Sequence, residues 1–388
     1  MTPQRLHGLD FLRALMMSLG VVLHSAQVYL TIPATDYYWD PARSPSMDVL
    51  LFFINTFRMP VFFLLSGFFT AMLLDLRGAQ AMLHNRWQRI VVPFLLFLPP
   101  LAAVMTLLRI VGRSLSETGA IGFDPGLIAN ARILWDNTHN LWFLYYLILY
   151  LATTALGLRV WPQLPGTWQQ KLRARAGATP IYSAAIFLPL CLLLAGIGSA
   201  EGAGRISARL SFVPSLSVYF YFGLCFVAGW LLYQRLPDLE VLANRWARYM
   251  LIATALFAVA LVAVLTQGEP GNPSYLPLHA LLSLSTGFSI GYYMLAFVGL
   301  FSRHCSQYNP WIRYFSDSAY WIFILHSVPL VIIALLLHGW SVTAEVKFLV
   351  VCTGTLAVCL VSYQLWVRNG LIGQVLNGRR HTSVPWRK

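Results

Sequence analysis

The sequence has too few charged residues for an ordinary soluble protein. Asp, Glu, Lys and Arg make up 11% of its 388 residues, against roughly a quarter in a typical soluble domain. Hydrophobic residues make up 58% and aromatic residues 14%, including the Trp and Tyr that settle at membrane–water boundaries. This balance argues against a set of soluble domains and indicates a chain whose solvent is lipid.

Cysteine is scarce, and its spacing matches no metal site. Four of the five cysteines lie inside apolar runs and Cys305 lies in a short connection, so we expect free thiols that pack as small apolar residues. The sequence also lacks a P-loop, a Gly-rich dinucleotide turn, an H-x-x-x-D transferase signature and a thiol relay. We therefore predict neither a metal nor a permanently bound cofactor.

Ten apolar runs dominate the sequence, each near the roughly 20 residues that a helix needs to cross a bilayer. The first is too long for a secretory signal, and Asp10, Arg13 and His24 interrupt it, so it is predicted to be a retained helix. Prolines such as Pro93 are tolerated in membrane helices because neighbouring groups satisfy the freed carbonyls. The runs cover roughly residues 9–31, 48–74, 89–111, 140–158, 180–198, 211–233, 249–266, 279–301, 313–337 and 343–366.

Positive charge is concentrated on one side of these runs. Of the 27 Lys and Arg residues, eighteen fall in the tails and connections on the side of the N-terminus, seven fall on the other side, and Arg13 and Arg58 lie within spans. Basic residues favour the cytoplasmic side, so both termini are predicted to be cytoplasmic. The net charge of +13 is therefore expected to interact with anionic lipid headgroups and does not indicate nucleic-acid binding. We predict an all-α, polytopic membrane protein of about ten transmembrane helices, a single domain over residues 1–388 with a basic tail at about 369–388.

Three ionisable residues lie in the first run, where each costs several kcal/mol unless it is paired or faces protein. Arg13 and His24 are eleven residues apart, which places them on one helix face about 16 Å apart along the axis. Asp10 and Arg13, at positions i and i+3, are placed to form an ion pair.

Arginines also stand in and beside the next two runs. Arg58 lies near the middle of the second run. Its charge there serves either a function or the structure, as part of an ion pair or as a clamp on backbone carbonyls. Arg86 and Arg89, at i and i+3 at a helix start, lie side by side in a way that suits phosphate binding. Anchoring of the helix on the cytoplasmic side alone would also place arginines there.

Further candidates have equally plain structural alternatives. His139 and Trp142 open the fourth run and are typical of membrane boundaries, and His326, midway along the ninth, is typical of a satisfied packing residue. Arg205 and Arg209 would suit an anionic acyl group, or would be solvated loop charges. A neutral histidine suits removal of a proton from a hydroxyl, and an arginine facing it suits stabilisation of an oxyanion.

In these motifs the sequence resembles the acyltransferase 3 family of integral membrane acyltransferases. The resemblance runs in order along nearly the whole chain, and the first three of its motifs are specific as a set. The motifs are Arg13-x10-His24, Phe57-Arg58-Met59-Pro60 through Ser66-Gly67, Arg86-x-x-Arg89 before Pro93, His139-Asn140-Leu141-Trp142-Phe143-Leu144, Phe222-Gly223 to Gly229, and Ser318-Ala319-Tyr320 through His326.

The resemblance implies a catalytic base at His24 and a site lined by Arg58 and by Arg13, with its partner Asp10. It also implies that Arg86 and Arg89 hold the coenzyme A end of an acyl-CoA donor. The closest likeness within the family is to members of the bacterial inner membrane that succinylate periplasmic glucans. Succinyl-CoA is therefore the expected donor and a periplasmic glucan the expected acceptor.

Three other functions remain open on the sequence. The first is O-acetylation of another envelope or secreted polysaccharide. The second is secondary transport, because intramembrane Arg and His also mark translocation paths. The third is a structural subunit whose buried charges pair with one another. The partners expected are membrane lipid, acyl-CoA and a glycan, and the sequence leaves homo-oligomer formation open.

Overall fold

The structure is a computed structural model that describes residues 6–35, 37–122 and 137–377, without the side chains of residues 172, 173, 175, 176 and 377. The described residues are helical and contain no β-strand, only a single antiparallel bridge between Asn137 and Ser211. The helices are α1 His7–Gln27, α2 Pro45–Arg86, α3 Val92–Thr118, α4 Trp142–Val160, α5 Gly166–Ala178, α6 Ala184–Gly198, α7 Leu216–Tyr233, α8 Asp238–Thr266, α9 Tyr275–His304, α10 Pro310–Leu325, α11 Ser327–Leu336, α12 Ala344–Ser362 and α13 Leu371–Asn377. Of the predicted basic tail, residues 378–388 lie outside the described residues.

Several helices begin and end where local sequence chemistry requires. At the start of α2, the Ser44 side chain accepts a hydrogen bond from the Ser46 amide, and Pro45 occupies the first turn, where its missing N–H is not needed. Asn309 caps α10 in the same way, again followed by proline. α3 ends at Gly119, whose φ of 73° is the left-handed conformation of a glycine helix cap.

Seven helical runs are long and apolar enough to cross a bilayer, and an eighth is added if α10 and α11 form one bent span. The chain is therefore a multi-pass membrane protein, as predicted. Each of the ten predicted runs contains a helix, but α6 has only 15 residues and two of the runs share one continuous segment. The count of ten and the cytoplasmic termini stay predictions.

The shared segment is the run Pro45–Thr118, which is 74 residues long. At 1.5 Å per residue a straight helix of that length would measure about 110 Å, several times the hydrocarbon thickness of roughly 30 Å. The run is interrupted at Gly78, whose φ of 77° and ψ of 171° are not helical, and by the π-helical turn Trp87–Val91. Gly78 lies between the second and third predicted spans, and the π-helical turn overlaps the start of the third.

The helices pack closely through small residues. A Cβ atom on Gly229 of α7 would lie 1.7 Å from the Leu64 carbonyl oxygen of α2, and one on Gly67 would lie 1.9 Å from the Phe226 carbonyl oxygen. The two glycines therefore let the backbones of α2 and α7 touch, which is the usual means of helix association in lipid.

A buried ion pair and a bend between two helices lie near the connections that follow α1 and α10. The segment between α1 and α2 is tied to α12 by a buried ion pair, in which Lys347 Nζ lies 2.8 Å from Asp40 Oδ1. Between α10 and α11 the chain bends by 64°, and His326 occupies the bend. Both features lie close in the sequence to Thr35, Tyr37 and Ser327, which line a cavity of about 410 Å³.

Candidate active site

A cavity between the helices, which we name the histidine cavity, has a volume of about 410 Å³. It is lined by basic, amide and apolar side chains, and none of its described lining residues is Asp or Glu. The residues that matter below are His24, Gln27, Leu51, Asn55, Arg58, Met59, Arg109, His139, Asn140, Trp142, Arg205, Phe222 and Ser327.

His24 of α1 and Arg58 of α2 line this cavity together. Arg58 is 6% exposed, and its Nε donates a hydrogen bond to the Met16 carbonyl at 3.0 Å. Gly20 makes room for the guanidinium, because a Cβ there would lie 2.6 Å from Arg58 Nη2. Arg58 is thus a carbonyl clamp between α1 and α2 and also a cationic wall of the cavity.

Hydrogen bonds fix the imidazole tautomers of His24 and His326. His24 Nδ1 lies 2.7 Å from Gln27 Oε1, so Nδ1 carries the proton and donates it to the amide oxygen. His326 Nδ1 lies 2.7 Å from the Phe323 carbonyl and donates in the same way. Each Nε2 therefore carries a lone pair and is free to accept a proton.

His326 lies behind His24 rather than in the cavity wall. It is fully buried, its ring centroid lies 5.3 Å from that of His24, and its Nε2 has no hydrogen-bond partner among the described residues. The prediction of a packing histidine whose ring nitrogens both have hydrogen-bond partners therefore holds for Nδ1. It does not hold for Nε2 among the described residues.

A short loop brings His139, Asn140 and Trp142 to the same cavity. His139 has a φ of 49°, a conformation rare for a residue with a side chain and often kept where function constrains the backbone. Asn140 Nδ2 donates a hydrogen bond to the Phe323 carbonyl at 3.0 Å. Its buried Oδ1 has no partner in the described part of the chain. Asn140 thus joins this loop to the bend at His326.

Arg205 and Arg209, which sequence reasoning treated alike, differ in position. Arg205 lines the cavity with its guanidinium 5.5 Å from the centre of the Phe52 ring, and its buried Nε has no hydrogen-bond partner among the described residues. Burial lowers the pKa of Arg205, although a guanidinium keeps its charge at neutral pH. Arg209 does not line the cavity. It is exposed and forms an ion pair with Glu201.

A second cavity of about 110 Å³, the arginine cavity, is lined by Arg13, Arg86 and Arg89. Arg86 Nε and Nη2 are buried and have no partner within the described ranges. The described lining contains no carboxylate and includes the hydroxyls of Ser66 and Tyr320. Such a concentration of donors and positive charge suits a polyanion.

Arg13 therefore lies with Arg86 and Arg89 and not in the wall of the histidine cavity. Its Nη2 is 3.3 Å from Asp10 Oδ1, the i, i+3 pair that the spacing predicts, and its guanidinium lies 5.1 Å from the centre of the Phe69 ring. The face shared by Arg13 and His24 thus borders two cavities, one near each end of α1.

Sequence reasoning did not select several residues of the histidine cavity. Asn55 and Arg109 lie on helices whose long apolar stretches mask single polar residues. Asn140 was noted only as part of a motif. Its clearest local signal is its place between His139 and Trp142, at the start of an apolar run.

The chain matches known proteins along nearly its whole length. Residues 6–364 match the family profile described as an acyltransferase domain. The chain is similar to glucans biosynthesis protein C of Salmonella paratyphi B, at 24% identity over 97% of this chain and 95% of the relative. The protein of the same name from Salmonella paratyphi A is 25% identical over the same shares. The one from Salmonella schwarzengrund is 30% identical over 50% of this chain and 48% of the relative.

No solved structure matches the chain. The family match covers α1 through α12 and so includes every candidate residue discussed above and the lining of both cavities except Leu376 of the arginine cavity. Since nearly the whole chain is matched, this multi-pass membrane protein belongs to the acyltransferase 3 family of membrane acyltransferases.

Proposed function

We propose that the protein transfers a succinyl group from cytoplasmic succinyl-CoA to a hydroxyl of a periplasmic glucan, within the bacterial inner membrane. Membership of an acyltransferase family and similarity to proteins named for glucan biosynthesis support the reaction class and the acceptor. The observation that carries the proposal is that His24 and Arg58 line one cavity.

The arginine cavity is the proposed site for the phosphates of the donor. Arg86 offers two buried nitrogens without a partner in the described residues, and charge-assisted hydrogen bonds to phosphate are among the strongest in proteins. The excess of basic residues in the predicted cytoplasmic segments supports entry of the donor from that side.

The two cavities are close enough for one donor molecule to occupy both. Arg58 lines the histidine cavity and Phe62, one turn later on α2, lines the arginine cavity. Four residues of helix correspond to about 6 Å. We therefore place the phosphates of the donor in the arginine cavity and its thioester beside Arg58, with the chain of the donor running between them along α2.

His24 Nε2 is the proposed general base. It takes the proton of the glucan hydroxyl as the hydroxyl oxygen bonds to the thioester carbonyl carbon. The Gln27 amide oxygen accepts from Nδ1, which keeps the lone pair on Nε2 and supports the positive imidazolium that forms.

Arg58 is the proposed partner of the tetrahedral oxyanion, since a fixed buried guanidinium stabilises charge that develops beside it. The intermediate collapses when its carbon–sulfur bond breaks. The departing sulfur takes the proton from His24, so the products are an O-acyl ester and the free thiol of coenzyme A. Trp142 and Asn140 are the proposed contacts of the sugar, through its apolar face and its hydroxyls.

Purified protein in lipid, incubated with glucan and radiolabelled succinyl-CoA or acetyl-CoA, tests the proposal. We expect succinyl label in the glucan and a loss of about 10²–10⁴-fold in the His24→Ala variant, which still binds the donor. His304→Ala, which removes an exposed histidine outside both cavities, is the matched control and should retain full activity.

Other outcomes would contradict the proposal in distinct ways. Transfer of acetyl but not succinyl would indicate an O-acetyltransferase. Movement of glycan across proteoliposomes without release of coenzyme A would indicate a transporter. Unchanged turnover by His24→Ala would remove His24 from the role of base.

A further inference from the structure

A cationic side chain in the histidine cavity has no role in the steps above. Arg205 lies in the loop between α6 and α7 and lines the cavity, with its guanidinium against the ring of Phe52. The nearby Glu201 is held by Arg209, and no ion pair joins it to Arg205 within the described residues. Arg109, which also lines the cavity, already has an interaction partner.

The loop holds Arg205 in place before any ligand arrives. Gly204 has a φ of 62°, and a Cβ on it would lie 2.8 Å from Leu282, so glycine lets the loop pack directly on α9. Ile206, on the other side of Arg205, is 4% exposed. Gln267 Nε2 donates to the Gly202 carbonyl at 2.9 Å. A cation fixed in this way loses little side-chain entropy when it binds an anion.

Arg205 contacts α2 on the opposite side of Arg58 from the arginine cavity. Phe52, which its guanidinium covers, precedes Arg58 by six residues, or about 9 Å of helix. Phe62, in the wall of the arginine cavity, follows Arg58 by four. Along the axis of α2, the residue that Arg205 contacts therefore comes first, the proposed reaction centre comes second and the proposed phosphate site comes third.

We propose that Arg205 binds a carboxylate at the far end of the acyl group that is transferred, and so selects dicarboxylic acyl donors. This inference rests on the proposed function. In a succinyl group the two carboxyl carbons are separated by three bonds, roughly 4 Å in extended form at about 1.5 Å per bond. With a charged hydrogen bond of about 2.8 Å to the guanidinium, the total of about 7 Å is comparable with the roughly 9 Å of helix between Phe52 and Arg58.

The surroundings favour a short acyl chain over a phosphate. Leu51, Met59 and Phe222 line the same cavity and suit the methylene groups between the two carboxyl carbons. The phosphates of the donor have a separate site in which three arginines meet. Arg205 offers one planar guanidinium, which matches the bidentate geometry of a single carboxylate.

A pair of donors matched in length tests the assignment. Succinyl-CoA and butyryl-CoA both carry four-carbon acyl groups, and only the first has a distal charge. With a neutral glucan as acceptor, we expect Arg205→Gln to lower the ratio of succinyl to butyryl transfer by on the order of 10–100-fold. Arg245→Gln, which removes an exposed arginine outside both cavities, should leave that ratio unchanged, and Arg205→Lys should retain part of it.

The ratio does not depend on the fraction of each variant that folds, because both donors are measured on the same preparation. An equal loss with both donors, or no loss, would overturn the assignment to the acyl carboxylate. A loss confined to glycans that carry acidic groups would place the carboxylate on the acceptor and also overturn it. These results are distinct from failure of the proposed function, in which the wild-type protein transfers neither acyl group.

Discussion

The imidazoles of His24 and His326 lie with their ring centroids 5.3 Å apart and their planes tilted by 35°, although they come from opposite ends of the chain. His24 faces the histidine cavity and His326 fills the bend between α10 and α11. The bend leaves the Phe323 carbonyl to side-chain donors, from His326 Nδ1 and from Asn140 Nδ2. The backbone behind the proposed base is thus held by two side chains that share one acceptor.

The first prediction concerns these two donors to the Phe323 carbonyl. Asn140→Ala and His326→Ala each leave one side-chain donor in place, whereas the double variant leaves none and exposes the full cost of an unsatisfied buried carbonyl. We expect the double variant to lose about 1–3 kcal/mol more than the sum of the single losses, measured by reversible unfolding in detergent.

The control for this cycle combines His326→Ala with Thr353→Ala. Thr353 lies exposed on α12 and bonds only to carbonyls of its own helix, so the two losses should add. Simple additivity of Asn140→Ala and His326→Ala would show that the shared carbonyl does not couple them.

The second prediction concerns donor binding in the arginine cavity. Arg86→Gln removes a charge whose Nε and Nη2 are buried without partners among the described residues. Loss of one or two charged hydrogen bonds should raise KM for the acyl-CoA donor by about 10–100-fold, while kcat at saturating donor stays near that of the wild type.

Arg159→Gln is the matched control, since Arg159 is exposed and lines neither the arginine cavity nor the histidine cavity. Its KM should match that of the wild type. A fall in kcat for Arg86→Gln with an unchanged KM would assign Arg86 to the chemical step and contradict a role in donor binding.

Much of the fold and the centre of the site follow from the sequence for one physical reason. Charges are so costly in lipid that His24 and Arg58, each inside an apolar run, must face protein or a water-filled cavity. The same reasoning predicts the ion pair of Asp10 with Arg13. These inferences require only the local sequence and the geometry of a helix.

The remaining parts of the site depend on contacts that local sequence does not encode. Arg205 and Arg209 stand four residues apart in one polar segment, and their different positions come from the ion pair of Arg209 with Glu201 and from the packing of Gly204 on α9. The role of Asn140 depends on a bend in a helix far along the chain. Pattern and composition carry no signal for such pairings.

The third prediction concerns the contact of α2 with α7. In Gly229→Ala the new methyl group would lie 1.7 Å from a backbone oxygen of Leu64, so the helices must separate, at a cost of about 1–3 kcal/mol or more. Gly223→Ala on the same helix is the control, because its methyl group would meet the Tyr150 ring at an ordinary 3.6 Å. We expect a lower thermal stability in detergent for the first variant alone, and equal stabilities would disprove the close contact.

The fourth prediction concerns the buried ion pair of Asp40 with Lys347, both at most 3% exposed at the side chain. Tyr38 also donates a hydrogen bond to Asp40 at 2.9 Å, and burial raises the pKa of Tyr38, so the phenol stays neutral and donates throughout the physiological range. Asp40→Asn leaves an uncompensated buried ammonium, which should cost about 3–5 kcal/mol.

Removing both charges should cost less than removing one, because no buried charge then lacks a partner. We expect Asp40→Asn with Lys347→Met to unfold at a higher temperature in detergent than Asp40→Asn alone.

The same segment supplies Thr35 and Tyr37 to the histidine cavity, so succinyl transfer should fall in the single variant and recover in part in the double variant. Arg43→Gln, which removes an exposed arginine bonded only to the Thr31 carbonyl, should leave both stability and transfer unchanged. A double variant less stable than Asp40→Asn would mean that the pair itself, rather than the neutralisation of each charge, stabilises this wall of the cavity.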